Sequence, residues 1–190
     1  AFFLYDYEGL QYQATDPELF QGGVSNIPES EIYGAEIELS TFITDSMILD
    51  ASMSWIETEI TADHFALDNV QSDIATNALL GQGVNQFSDQ VQIARAAEIT
   101  NVKGNELAKT PNFTANLSLT WQKYIENWGE MSNSLQYTYR GDFKHRMFNN
   151  PLTDMVPDYE VIDLVVGYIP NSNSDLKYEF VAKNLTDEDG

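Results

Sequence analysis

The stretch FTANLSLTWQ, Phe113–Gln122, decides how this chain folds. Its odd positions are Phe113, Ala115, Leu117, Leu119 and Trp121; its even positions are Thr114, Asn116, Ser118, Thr120 and Gln122. Successive side chains of a strand point to opposite sides, so as a strand the segment has one wholly apolar and one wholly polar face. A helix would scatter both sets around its axis. MILDASMSWIET, Met47–Thr58, repeats the pattern, with Met47, Leu49, Ala51, Met53 and Trp55 opposed to Asp50, Ser52, Ser54 and Thr58.

Working outward, similar alternation runs near Phe3–Gln13, Glu31–Phe42, Ser132–Phe143, Tyr159–Ile169 and Leu176–Leu185. That predicts about seven strands of roughly ten residues, the length a tilted strand needs to cross a bilayer core. The connections alternate in length. Thr44–Ser46, Lys123–Glu130 and Pro170–Ser174 are short, with Thr44, Asn127 and Asn173 in the turns. Between them lie about fifteen residues after Gln13, about fifty after Ile60 and about fifteen after Phe143, a length pattern that outer-membrane barrels show between tight periplasmic turns and long external loops.

That orientation predicts two aromatic girdles on the lipid-facing side, because amphipathic rings favour the headgroup level. The outer girdle is Tyr33, Trp55, Phe113 and Tyr139, and the periplasmic one Phe3, Tyr5, Trp121, Tyr168 and Tyr178. Aliphatic residues such as Leu39, Leu49, Leu117, Leu135 and Leu164 lie between them. The other face carries Glu36, Glu38, Asp50, Asn116, Gln136 and Asp163, groups too costly for a dry sandwich core but suited to a wet or plug-filled lumen.

Bulk composition prunes the alternatives. The chain has 190 residues, 43% of them hydrophobic, which suits a folded protein of one large or two small domains. Thirty acidic against nine basic side chains, a formal charge of −21, leave no phosphate-neutralising surface, so nucleic acid is set aside. The absence of cysteine excludes disulfides, thiolate metal sites and cysteine nucleophiles. The most apolar run, Val161–Ile169, is short and contains Asp163, so membrane helices are not expected. AFFLYDYEGLQYQ lacks a basic leader and a cleavage site, so the expectation is that either the protein is not exported or Ala1 is not its natural start.

Chemistry is sparse. His64 and His145 have no partner at metal-binding spacing, and Gly81 and Gly83 read as loop glycines. No catalytic residue, cofactor or metal is expected. The acidic end, Asp187–Asp189, reads as solvated surface, and Asp154, Asp158, Glu57 and Glu59 as rim carboxylates able to meet divalent ions at lipopolysaccharide. Ligand contact is expected on the loop from Thr61 to Lys103, with a short helix over Ser88–Ile99 capped by Ser88. Arg95 there, and Arg140, Lys144, His145 and Arg146 near the next loop, are candidates to hold an anionic chelate. The competing reading is that these cations balance neighbouring carboxylates.

Several passages resemble the C-terminal barrel region of TonB-dependent outer-membrane receptors. IYGAEIELS looks like that family's G-x-E-x-E strand, here Gly34, Glu36 and Glu38; GNELAKTPNFTANLSLTW resembles its return from a long external loop; Asn184, Leu185 and Asp187 match its N-L-x-D stretch. The resemblance implies an all-β, antiparallel up-and-down segment of about seven strands from a barrel of about 22, with residues 1–190 a partial barrel domain lacking plug and last strands. It implies truncation at both ends and a curved open sheet. It further implies energised uptake of a scarce ligand, with ferric siderophores foremost, a TonB-type partner acting through the plug, and contact with outer-membrane lipid and lipopolysaccharide. A passive porin and a soluble β-sandwich remain the alternatives. Expression without detergent is expected to yield no soluble, cooperatively melting monomer; recovering one would overturn the membrane reading.

Overall fold

A computed structural model describes residues 1–15, 22–172 and 175–188. Its strands are β1 Phe2–Thr15, β2 Gly22–Thr44, β3 Met47–Ile60, β4 Phe65–Leu67, β5 Ile99–Asn101, β6 Phe113–Ile125, β7 Gly129–Arg140, β8 Phe143–Lys144, β9 Met155–Val156, β10 Tyr159–Pro170 and β11 Tyr178–Ala182. Helices α1, Asn69–Gly81, and α2, Asp89–Ala96, lie between β4 and β5. One seven-stranded sheet, in the order β1-β2-β3-β6-β7-β10-β11, is antiparallel throughout. Each strand pairs with its predecessor in the main sheet, so the seven form an open, curved up-and-down meander.

Register confirms the two faces. Leu49, Leu119, Leu135 and Leu164 stand side by side across β3, β6, β7 and β10. One residue along each strand, Ser40, Asp50, Ser118, Gln136 and Asp163 make the matching row on the opposite face. Trp55 pairs with Phe113, and ring contacts join Tyr33 to Trp55 at 5.8 Å and Phe113 to Tyr139 at 6.0 Å. The outer girdle is thus a continuous aromatic row. At the other end Tyr168 stacks on Tyr178 at 6.3 Å. From Phe113 to Trp121 is about 26 Å along the strand at about 3.3 Å per residue. A tilt of about 40° reduces this to about 20 Å, against an apolar band of about 25 Å in outer-membrane barrels.

Two girdle assignments need correction. Phe3 and Tyr5 pair with Gly34 and Ile32, placing them on the face of Glu36 and at the level of the outer aromatic row. Phe2 and Leu4 take the outward face instead. The run FFLYDY is apolar at both parities, so alternation alone cannot choose its face. Gly34 explains the choice: a Cβ there would sit 2.7 Å from the Phe3 ring and 2.2 Å from the Trp55 carbonyl oxygen, so the ring packs on bare backbone.

Connections also differ from expectation. The connection after Gln13 is not a fifteen-residue loop, because β1 and β2 remain paired up to Thr15 and Gly22. Pairing is interrupted at Gly9, φ 71°, opposite Pro28, which has no N–H to give. The buried positions on either side of that point, Ile27 and Ser30, are three residues apart, so the pleat changes sides there. The Lys123–Glu130 turn shrinks to residues 126–128, with Asn127 at φ 67°. Thr44 is the last residue of β2, and Asn173 and Asp189 lie outside the described residues. Gly81 ends α1 rather than lying in a loop, whereas Gly83, at φ 84°, follows the cap residue Gln82.

The buried cluster lies at one end of the seven-stranded sheet, beyond the aromatic row. Ile27, Ile60, Ala66, Val102, Leu107 and Met147, with Leu10, Tyr12, Ile32 and Phe148 against them, pack the external connections onto the extended β1–β2 hairpin. The spanning wall has no partner layer of its own. Arginine in place of Leu119, in the middle of the leucine row, should therefore lower barrel stability in lipid by about 2–4 kcal/mol. Arginine at neighbouring Ser118, on the polar face, should cost less than about 1 kcal/mol. Equal costs in a denaturant titration of the lipid-embedded barrel would reverse the face assignment.

Candidate functional site

At the end of the sheet that carries the long connections, a cavity of about 1250 Å³ opens between them and the β1–β2 hairpin. Leu10, Tyr12, Ile27 and Ile32 form one wall, and Leu67, Leu107, Met147 and Phe148 the other, with Gln11, Gln13, Lys109 and His145 adding polar groups. A pocket of mainly apolar walls and few polar groups is the usual form of a small-molecule site.

The second wall is positioned by local sequence. Asp68 caps α1, its Oδ1 accepting from the Val70 and Gln71 amides at 3.1 and 3.2 Å. Helix α2 begins where Ser88 predicts and ends at Ala96, before Ile99 turns into β5; the Ser88 hydroxyl makes no cap hydrogen bond. Helix α1 lay outside the sequence expectation although Asp68, before a run free of Gly and Pro up to Gly81, signals its start.

The five candidate cations do not converge on one anion site. Arg95 donates from Nε to Thr76 Oγ1 at 3.4 Å, tying α2 to α1. Arg140 lies over the Phe143 and Tyr159 rings, 4.9 and 4.4 Å from their centroids, and donates to the Pro157 carbonyl. Lys144 Nζ meets Met155 Sδ at 3.3 Å. His145 and Arg146 reach the cavity. His145 Nδ1 lies 3.4 Å from the Asp154 carbonyl oxygen.

Arg146 is the centre of a buried network. Its Nη1 meets Asp68 Oδ1 at 2.7 Å and Asn69 Oδ1 at 3.4 Å; Nε meets Asp154 Oδ1 at 2.7 Å; Nη2 meets Thr153 Oγ1 at 3.1 Å and Asp154 Oδ1. All three guanidinium nitrogens are engaged, and the planar fork matches two carboxylates at once. Burial opposes the charge, but the hydrogen bonds that the guanidinium donates to Asp68 and Asp154, with the charge of both carboxylates, outweigh it and hold the guanidinium above its ordinary pKa. Asp154 is fully buried, so it is not a rim carboxylate facing lipopolysaccharide. Its other oxygen accepts from the Asn150 amide at 3.0 Å. Asp68 and Arg146 are separated by 78 positions, and no spacing rule connects them.

Across the cavity, His64 Nε2 and Tyr12 Oη are 2.7 Å apart, with the rings edge-on. Burial lowers the His64 pKa and raises that of Tyr12, the latter opposed by a hydrogen bond from Ser25.

Together these observations define a class, a segment of an up-and-down β-barrel whose long connections are folded into a structured cap at one end of the sheet. A family model described as TonB dependent receptor-like, beta-barrel matches residues 1–185, and the chain belongs to that family. No curated protein matches it. Two solved structures share the fold. The ferric yersiniabactin uptake receptor FyuA from Yersinia pestis superposes with a TM-score of 0.58 at 14% identity, over 87% of this chain and 20% of that one. A mutant of the ferric enterobactin receptor PfeA from Pseudomonas aeruginosa superposes with a TM-score of 0.55 at 16% identity, over 98% of this chain and 23% of that one. The chain thus spans about a fifth of their length.

Because the folded chain holds His64 below its ordinary value of 6.5, neutral imidazole is favoured by the fold. Stability from the His64 contact is fully present above that ordinary value and is lost as pH falls through the lowered one. Protection of the His64 and Val102 amides, corrected for the intrinsic pH dependence of exchange, is expected to fall over that window in the native chain. Tyr12→Phe should shift the His64 titration, read by NMR; an unmoved titration would dissociate the two rings.

Proposed function

We propose that this chain is part of an outer-membrane receptor that takes up a scarce ligand by TonB-coupled transport, with a ferric siderophore as the ligand class. The observation that carries the reading is the division of one sheet into an aromatic-bordered apolar face and a polar face, in a chain of the TonB dependent receptor-like barrel family. The two solved structures that share its fold are named for ferric yersiniabactin and ferric enterobactin, which supports iron chelates over other cargo.

In this reading the leucine row and girdles meet lipid, the outer rim meets lipopolysaccharide, and the polar face lines the passage. A TonB-type protein supplies energy through a plug domain. The ligand is met first at the external cavity, where His145 and Lys109 offer polar contact beside apolar walls. Arg95, Arg140, Lys144 and Arg146 act around it by holding the loops that present those walls. No step calls for a catalytic group.

Uptake of radiolabelled iron complexed to a panel of siderophores tests this in cells with and without the gene, and with the energy-coupling partner removed. Uptake of at least one complex should disappear in both deletions. Uptake that persists without the coupling partner would favour a passive channel, and uptake indifferent to the gene would overturn the transport reading.

A further inference from the structure

We propose that residues 61–112 and 143–158 form a single cap, clamped internally at Arg146, which parts from the β1–β2 hairpin along the cavity. The cap stays joined to β3 through Ile60 N to the Asn105 carbonyl at 2.9 Å, Gly104 N to the Ile60 carbonyl at 2.8 Å and Leu107 N to Thr58 Oγ1 at 2.9 Å; its seams with the second connection and with the hairpin differ in kind. Between the two connections Arg146 reaches Asp68, while Asp154 holds the same guanidinium from within 143–158; side-chain exposures of Asp68, Arg146 and Asp154 are 6%, 15% and 0%. Backbone-directed bonds flank this network. Lys109 N donates to the Lys144 carbonyl at 2.7 Å, Glu106 N to Asn149 Oδ1 at 2.8 Å, Asn149 Nδ2 to the Glu106 carbonyl at 3.1 Å, and Asn105 Nδ2 to the Met147 carbonyl at 2.8 Å. Asn149, at φ 54°, is held in the left-handed region while making these bonds.

The seam against the hairpin is different. Among the described residues its polar links are Thr61 N to the Glu29 carbonyl at 3.1 Å and the Tyr12–His64 pair. The remainder is apolar contact around Ile27 and Leu10, interrupted by the cavity itself. Separating the loops strands the buried Asp68 carboxylate and breaks the four backbone-directed bonds, while Arg146 keeps Asp154 within its own connection; separating cap from hairpin exposes apolar surface and releases two hydrogen bonds. The weaker plane is therefore the one that opens the cavity, and the loops travel together when it does. Arg146 is a positioning residue here: its neighbours His145 and Met147, and Asp68's neighbours Leu67 and Asn69, all face the cavity.

Site-resolved amide exchange on the full receptor in detergent tests the parting plane without any ligand, so its outcome is independent of the uptake reading. The Thr61 amide is expected to exchange at least about tenfold faster than those of Glu106 and Lys109, as sub-global opening at the weaker seam requires. Arg146→Met should accelerate Glu106, Lys109 and Asn150 together by about tenfold or more, leaving β6 and β7 unchanged, and Arg146→Lys should restore part of the protection. Tyr12→Phe should accelerate Thr61 while Glu106 and Lys109 stay slow, and it serves if the Arg146 variants fail to assemble. Glu106 and Lys109 exchanging as fast as Thr61 in the native chain would overturn the proposal. So would an Arg146→Met variant that loosens 143–158 alone.

Discussion

The backbone hydrogen-bond ladder is the constraint from which the rest follows. In hydrocarbon no water is available to an unpaired N–H or carbonyl, so a strand that crosses must be paired along its length. Antiparallel neighbours in register meet that demand from β2 to β10. Once the ladder sets the register, each residue's face is decided. The leucine row, the aromatic row and the polar row are three readings of one register. A slip of a single position would turn every leucine toward the lumen and every carboxylate toward lipid. The penalty for that exchange is what makes the register unique.

A wall of this kind has no interior, and its apolar side chains gain their environment from the bilayer. That explains why the buried cluster lies beyond the membrane, where the external connections have water on their outer side and must bury apolar surface in the ordinary way. The excursion from Thr61 to Asn112 consequently contains two helices and a small two-stranded sheet closed by Phe65 and Asn101. It is a small globular unit docked on a hairpin. The hairpin reaches it because β1 and β2 stay paired well above the aromatic row, with the Gly9–Pro28 break turning the apolar side of that extension toward the cap.

Charge acquires a different meaning in this setting. An acidic chain with nine basic residues invites the idea that its loop cations attract an anion. Arg146 instead has every guanidinium nitrogen committed to the chain's own groups, and Arg140 is held between two rings and a carbonyl oxygen. In a region with so few cations, burying one between two aspartates is a strong way to join segments distant in sequence. The five-donor fork of arginine is suited to the task, whereas a lysine would satisfy the pair as a point charge.

Residue alternation by itself determined the strand class, the number of main strands and the faces of β2, β3, β6, β7 and β10, because period two is a local property of the chain. It also placed the outer girdle, since Tyr33, Trp55, Phe113 and Tyr139 each occupy the apolar parity of their own strand. Only tertiary structure decided the face of β1, where FFLY offers apolar residues at both parities and packing of Phe3 on Gly34 breaks the tie. The length of β2 was likewise hidden, because GGVSNIPES does not alternate and is a strand only through its pairing with β1. The cap was legible at Asp68 and Ser88, whose side chains suit helix starts. The Arg146 clamp was not: its partners are chosen by proximity in space, and a pattern read along the chain contains no information about which distant carboxylates will meet one guanidinium.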